Sequence, residues 1–268
     1  MSKKTKTIII IAVSILLTAT LYFTILHPRI KTYIAMVCVY EEMGGSRDIG
    51  LPAEEYNQYS ITDDSLIMTD FGAFSIGIPS DLEDQTKEDS DIIVYRTIGA
   101  VTEPGVNNPD IEFIGISPDG DDNSGMVIIN KELIGSDAEL NRLAKGYEAL
   151  GYGMPDNFYN TLRCAHSLSP DDYSFWNYNK GLAYTYLLPF RAGSPFYSNG
   201  DNCKTYFYET EDVCGIICEQ YREDYDGNYR FQCDFYSTDD LNTGYIISIT
   251  VHDKETGYAI INSLTFED

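Results

Sequence analysis

The longest apolar run of the chain extends from Ile8 to Leu26, contains no charged residue and follows three lysines. Its nineteen residues would form a helix of roughly 28 Å, because each helical residue rises by about 1.5 Å. That length matches the hydrocarbon thickness of a bilayer. The serine and threonine hydroxyls in the run can bond to carbonyls of their own helix. The pattern therefore predicts a transmembrane helix over 8–26 behind a short tail, 1–7.

A cleaved secretory signal is the alternative interpretation of this run. Cleavage needs small residues followed by a polar mature start, whereas Thr18-Ala19-Thr20 is followed by further apolar residues. We therefore expect an uncleaved signal anchor.

Helical spacing of apolar residues continues past the span. Residues 27–48 predict a juxtamembrane helix that ends near Gly44-Gly45, and Pro28 predicts a stop or kink at its start. The polar segment 49–63 predicts a linker, and 64–268 has the apolar content of a folded domain.

The domain begins with short runs in which apolar and polar residues alternate. Phe74, Ile76 and Ile78 share one face of FGAFSIGIPS, and three similar runs follow in DIIVYRTIGA, IEFIGIS and GMVIINK. Turn residues separate the runs, so we predict an antiparallel sheet.

The apolar period becomes helical over 136–190, which predicts a helical insertion. Leu140, Leu143 and Tyr147 recur at helical spacing before a glycine, and PDNFYNTLRCAHSL predicts a second helix. A third is predicted in SPDDYSFWNYNKG, with Ser169 as N-cap and Gly181 as terminator.

Four alternating runs form the last part of the domain: CKTYFYE, VCGIICEQYR, NYRFQCDFY and TGYIISITV. They predict an antiparallel meander, and KETGYAIINSL predicts a closing helix. The predicted fold class is thus α+β: a transmembrane helix followed by an antiparallel-sheet sandwich with a helical insertion.

Cysteines recur in three strands of the meander. Tight hairpins would place Cys203 opposite Cys218 and Cys218 opposite Cys233, in one row on the core face. A disulfide between neighbours, buried thiols and a metal cluster are the three interpretations of this row. The metal is the least favoured, since the sequence has no CxxC spacing.

Other candidates for chemistry are weak. Asp119, Asp121 and Asn123 resemble the start of a calcium loop, but the glycine follows one position late and the twelfth residue is Asn130. A hairpin turn explains this segment better. Cys164 and His166 would point about 200° apart on a helix. We therefore assign no catalytic residue, cofactor or metal site.

Charge is divided sharply along the chain. All 42 Asp and Glu and 15 of the 18 Lys and Arg lie beyond Leu26, which gives that part a net charge of −27. Such a surface repels nucleic acid, so DNA and RNA are excluded as partners. The more positively charged flank of a membrane span usually stays in the cytoplasm. The lysines before the span therefore favour a cytoplasmic N-terminus and an extracytoplasmic domain.

FGAFSIGIPSDLE near the start of the domain and YAIINSLTF at its end resemble segments of exported α/β sandwiches of the Mog1/PsbP-like type. SPDDYSFWNYNKG is similar to a segment of membrane-anchored proteins of Gram-positive bacteria. The resemblance implies a binding or accessory module with no shared catalytic residues, and the insertion 136–190 departs from it.

The expected function is therefore that of a binding, sensing or accessory module on a membrane anchor, with an unidentified protein or small-molecule partner. An extracellular hydrolase that uses Cys164 or a carboxylate pair is one alternative. A membrane assembly or structural protein is the other.

Overall fold

The computed structural model describes residues 3–42, 52–88, 92–97, 113–118, 137–191, 203–222 and 227–266. An unbroken helical rod opens the chain: α1 (Lys3–Leu21), a π-helical turn (Tyr22–Leu26) and α2 (His27–Glu42). Within the described ranges, the one helix long and apolar enough to cross a membrane spans Lys3–Cys38.

Pro28 does not stop this rod, so of the predicted stop or kink the stop is wrong. The π-helical turn comes directly before it, and the His27 N–H donates to the Tyr22 carbonyl, five residues back. Because a proline ring lacks an N–H and crowds the preceding turn, a widened turn at this point lets the helix continue.

In the described part of the domain, the strands form two sheets. The larger has eight strands in the order β1-β7-β8-β9-β10-β6-β5-β4, and the smaller has the order β11-β3-β2. All pairings are antiparallel except that of β1 with β7. The strands are β1 (Glu54–Glu55), β2 (Ile67–Asp70), β3 (Phe74–Ile78), β4 (Leu82–Asp84), β5 (Ile93–Thr97), β6 (Phe113–Pro118), β7 (Cys203–Glu209), β8 (Val213–Arg222), β9 (Asn228–Ser237), β10 (Asp240–Val251) and β11 (Thr265–Phe266).

The described residues form four further α-helices: α3 (Asp137–Leu150), α4 (Phe158–Ser167), α5 (Tyr178–Leu187) and α6 (Lys254–Asn262). The small sheet and α6 cover one face of the large sheet, here called face 1, around Ile76, Phe235 and Ile260. Helix α4 covers part of the opposite face, face 2, with Phe158 and Leu162. The predicted α+β class with antiparallel sheets and an apolar N-terminal helix is confirmed.

The predicted third helix of the insertion is wrong. Ser169 caps only a single 3-10 turn, Pro170–Asp172, and helix α5 starts six residues later. Gly181 lies inside α5, where a Cβ atom would lie 2.6 Å from the Met36 sulfur and would also overlap the Tyr173 ring. Glycine is thus required here by a close approach between helices, not by a helix end.

The predicted linker contains a buried residue. Tyr56 packs in the core beneath face 1, and its hydroxyl donates to Asn262 Oδ1 at 3.0 Å. At least around Tyr56, this segment belongs to the domain.

Candidate functional site

The register of the meander separates the predicted cysteine row. Cys203 pairs with Gln220, and Thr205 pairs with Cys218, so Cys203 lies diagonally from Cys218 on face 2. The prediction assumed a two-residue turn, whereas the last pair of this hairpin joins Glu209 to Cys214. A shift of two residues in the register moves the pairing along the strands, but each side chain stays on the same face of the sheet.

The next hairpin differs from the prediction by one residue. Cys218 pairs with Gln232, and Cys233 pairs with Ile217. Because side chains alternate along a strand, a slip of one residue moves a strand's side chains to the other face. Cys233 therefore lies in the core beneath face 1 and Cys218 lies on face 2, and the predicted alignment of all three cysteines is wrong.

All six cysteines are thiols, and the buried ones are held in their protonated form. Burial raises the pKa of Cys214 to about 12, and burial raises the pKa of Cys218 and Cys233 well above the usual range. A thiol must ionise before it attacks a substrate or binds a metal. These side chains therefore act as small apolar groups in the core.

Face 2 has an apolar half and a polar half. The apolar half lies under α4, whereas the other half carries polar side chains on neighbouring strands. Gln220, Gln232 and Asp234 are buried there, and Arg230 is half-buried. The register places Gln220 beside Arg230, which in turn lies beside Thr250. Gln220, Arg230 and Asp234 all take part in interactions, so these amide, carboxylate and guanidinium groups form a buried polar cluster.

Cys164 and His166 lie on α4 in environments unsuited to a thiolate and imidazolium pair. Burial lowers the pKa of the His166 imidazole, and the nearby Arg191 guanidinium lowers it further. Burial raises the pKa of the Cys164 thiol. Both residues are therefore neutral at physiological pH, whereas a cysteine hydrolase needs the charged pair.

Arg191 has a structural role beside them. Its Nε donates to the Ala165 carbonyl at 3.1 Å, and its Nη2 donates to the Leu168 carbonyl. A guanidinium at the C-terminal end of α4 donates to carbonyls at the helix end and complements the helix dipole.

An ionic cluster fixes α6 to face 1. The buried Glu219 carboxylate accepts from the Tyr258 hydroxyl at 2.6 Å and pairs with Lys254 Nζ at 2.7 Å. Burial and the bond to Glu219 raise the Tyr258 pKa, so its hydroxyl keeps the donated proton. Each group has its partner inside the domain, which indicates a structural cluster.

Helix α2 packs directly against the domain. Met36 and Thr32 are buried, and Met36 shares a core cluster with Leu143, Tyr184 and Leu187 from α3 and α5. We call this contact of residues 29–36 with residues 173–187 the junction.

Polar and aromatic contacts extend the junction toward the predicted span. The Tyr173 hydroxyl donates to the Arg29 carbonyl at 2.9 Å, and Arg29 Nε donates to the Phe175 carbonyl. The Arg29 guanidinium lies 5.0 Å from the centre of the Phe175 ring and 4.8 Å from that of Tyr178. The first turn of α2 is thus bonded to the segment that precedes α5.

The calcium candidates Asp119, Asp121 and Asn123 lie outside the described residues. Among the residues that the structure does describe, no group of three His, Cys, Asp or Glu side chains could hold a metal ion.

Comparison with protein-family models finds no match, and comparison with curated proteins finds none either. The resemblance to Mog1/PsbP-like sandwiches therefore stays a prediction.

The junction is the feature that sequence analysis missed. Its signals were Gly181 inside an otherwise apolar segment and a second turn of apolar residues beyond Pro28. Neither signal identifies its partner, because pairing between distant segments leaves no local pattern.

Proposed function

We propose that this chain is a single-pass membrane protein with a cytoplasmic N-terminus. Its acidic extracytoplasmic domain, a Mog1/PsbP-like sandwich, acts as a binding, sensing or accessory module held directly on the outer surface of the membrane. The single observation that carries the proposal is the junction, in which the helix continuous with the predicted span buries Met36 in the core of the domain.

The junction supports a fixed position for the module. Burying a methionine side chain contributes about 1.5–3 kcal/mol, and a cation–π contact adds about 0.5–2 kcal/mol. A domain on a free tether would gain neither contribution. A binding surface at a constant height above the bilayer suits a partner in the same membrane. It also suits a module that binds a ligand and passes the signal to the span.

The charged flanks support the orientation. Three lysines precede the span, whereas Arg29 and Lys31 on its other side are soon followed by acidic residues. Arg29 is moreover engaged by the domain through Phe175 and Tyr178. The lysine side is therefore the stronger cytoplasmic determinant.

A binding role is favoured over the hydrolase alternative by the state of the candidate nucleophile. The raised pKa of Cys164 and the lowered pKa of His166 disfavour acyl transfer. Stoichiometric labelling of Cys164 at neutral pH by an electrophilic hydrolase probe would support the hydrolase.

Cys38 allows a direct test of topology, since it is exposed on α2 beyond the span. Intact cells that express the full chain with Cys164→Ser and Cys203→Ser are treated with a membrane-impermeant maleimide, and the same chain with Cys38→Ser added serves as the matched control. We expect labelling of the chain that retains Cys38 in intact cells and its loss in the control. Labelling of Cys38 only after lysis would overturn the proposed orientation.

A further inference from the structure

Two large aromatic side chains project into solvent from the segment before α5. Trp176 is 83% exposed, and Phe175 beside it is 40% exposed. Their rings meet edge to face with centroids 5.1 Å apart. We call residues 174–177 the aromatic loop. Adjacent exposed aromatic rings of this size are typical of a surface that contacts a partner or a membrane.

The junction fixes the height of the aromatic loop along the helical rod. Arg29 donates to the Phe175 carbonyl and also stacks on the Phe175 ring. Arg29 follows Leu26, the last residue of the apolar run, by three residues. This spacing corresponds to about 4.5 Å along the helix axis. The aromatic loop therefore lies beside the rod where the apolar span ends.

The chemistry of the loop matches that height. Tryptophan is enriched at membrane–water interfaces, because its ring is apolar and its N–H can bond to headgroups. The nearby Asp172 carboxylate is paired with Lys180 at 3.3 Å, which reduces its repulsion of anionic headgroups.

We propose that Phe175 and Trp176 insert into the headgroup region of the leaflet that the span crosses last. The occupant of this patch is lipid, and the reason is its continuity with the end of the span. Insertion gives the domain a second contact with the bilayer and fixes its tilt and its rotation about the rod. The inference rests on the proposed single-pass topology.

Trp176 is the only tryptophan of the chain, so its fluorescence reports on the loop alone. The full chain is reconstituted into phosphatidylcholine vesicles, with or without bromine on the acyl chains near the ester groups. We expect a blue-shifted emission that loses most of its intensity in brominated vesicles. We also expect protection from aqueous acrylamide.

Two control variants in a Trp176→Phe background separate the loop from the span. Leu16→Trp places the probe in the middle of the apolar run and should be quenched by deeply brominated lipid. Val37→Trp places it on α2 about 16 Å beyond Leu26 and should not be quenched.

The outcomes distinguish the two proposals. If Leu16→Trp is quenched while Trp176 is not, the span is present and the inserted loop is refuted. If Trp176 is blue-shifted but insensitive to brominated lipid, protein covers the loop, which also refutes insertion. If Leu16→Trp is not quenched at any depth, the proposed span itself fails.

Discussion

Substitution of Met36 by alanine tests whether α2 is part of the domain. Met36 is only 6% exposed and packs in one cluster with Leu143, Tyr184 and Leu187. Truncation removes the side chain that α2 contributes to this cluster and leaves a cavity between α2 and α5.

The expected cost follows from the burial of the side chain. Truncating a buried methionine to alanine destabilises a protein by about 2–5 kcal/mol, and the better helix propensity of alanine returns only a few tenths. In a domain of this size, 1 kcal/mol lowers the melting temperature by about 2–4 °C. We therefore expect Met36→Ala to melt about 4–20 °C lower.

The assay is thermal unfolding of the full chain in lipid nanodiscs, followed by circular dichroism. Ile34→Ala is the matched control, because Ile34 lies on the same helix and is 55% exposed. An exposed substitution changes stability by about 0.5 kcal/mol at most. Equal melting temperatures for the two variants would refute the junction.

Three further predictions use the same assay. Gly181→Ala should destabilise by about 1–3 kcal/mol through overlap with Met36, whereas Gly153→Ala, where a Cβ atom meets nothing within 4 Å, should not. Arg191→Ala should cost about 2–3 kcal/mol, because carbonyls at the end of α4 lose a charged donor; Arg191→Lys should recover part of this loss. Asp253→Ala removes the N-cap of α6 and should cost about 1 kcal/mol at neutral pH. Burial alone would raise the Asp253 pKa, but hydrogen bonds from Glu255 and Thr256 keep this pKa below its usual value. The stability that the N-cap contributes is therefore present above about pH 4 and is lost as the pH falls through the pKa of the folded state. A pH-independent difference between Asp253→Ala and the unmodified chain would contradict this assignment.

Local patterns predicted the elements well where the pattern is periodic. Phe74, Ile76 and Ile78 form one buried side of β3, as their alternation indicates. Helix α3 ends at Leu150 before Gly151, which has a φ of 79°. Such features depend on near neighbours in the chain, so the sequence contains their signals.

The pairing of strands could not be predicted to the residue. The apolar alternation of β8 and β9 is compatible with burial on both faces of the central sheet, so it does not select the register. The length of the hairpin then decides which face of the sheet each side chain occupies. An error of one residue in the predicted hairpin placed Cys233 on the wrong face. The three interpretations of the cysteines depended on that assumption.

The junction was unpredictable for a different reason. Met36 and Gly181 are far apart in the chain, and each alone has a simpler local explanation: a residue of a membrane stem and a helix terminator. Their contact is specified by the shapes of two helix surfaces, which becomes apparent only when α2 and α5 are brought together.

We expect span and domain to form one rigid body, and a distance measured between them tests this expectation. Spin labels are placed at Leu16→Cys in the span and Glu255→Cys on α6, with exposed Cys38 and half-buried Cys164 and Cys203 replaced by serine. Pulsed electron paramagnetic resonance then measures the distance in the full chain in nanodiscs. We predict a single narrow distance distribution, which Met36→Ala broadens. A broad distribution in the unmodified junction would show a domain on a flexible tether and would contradict a rigid junction.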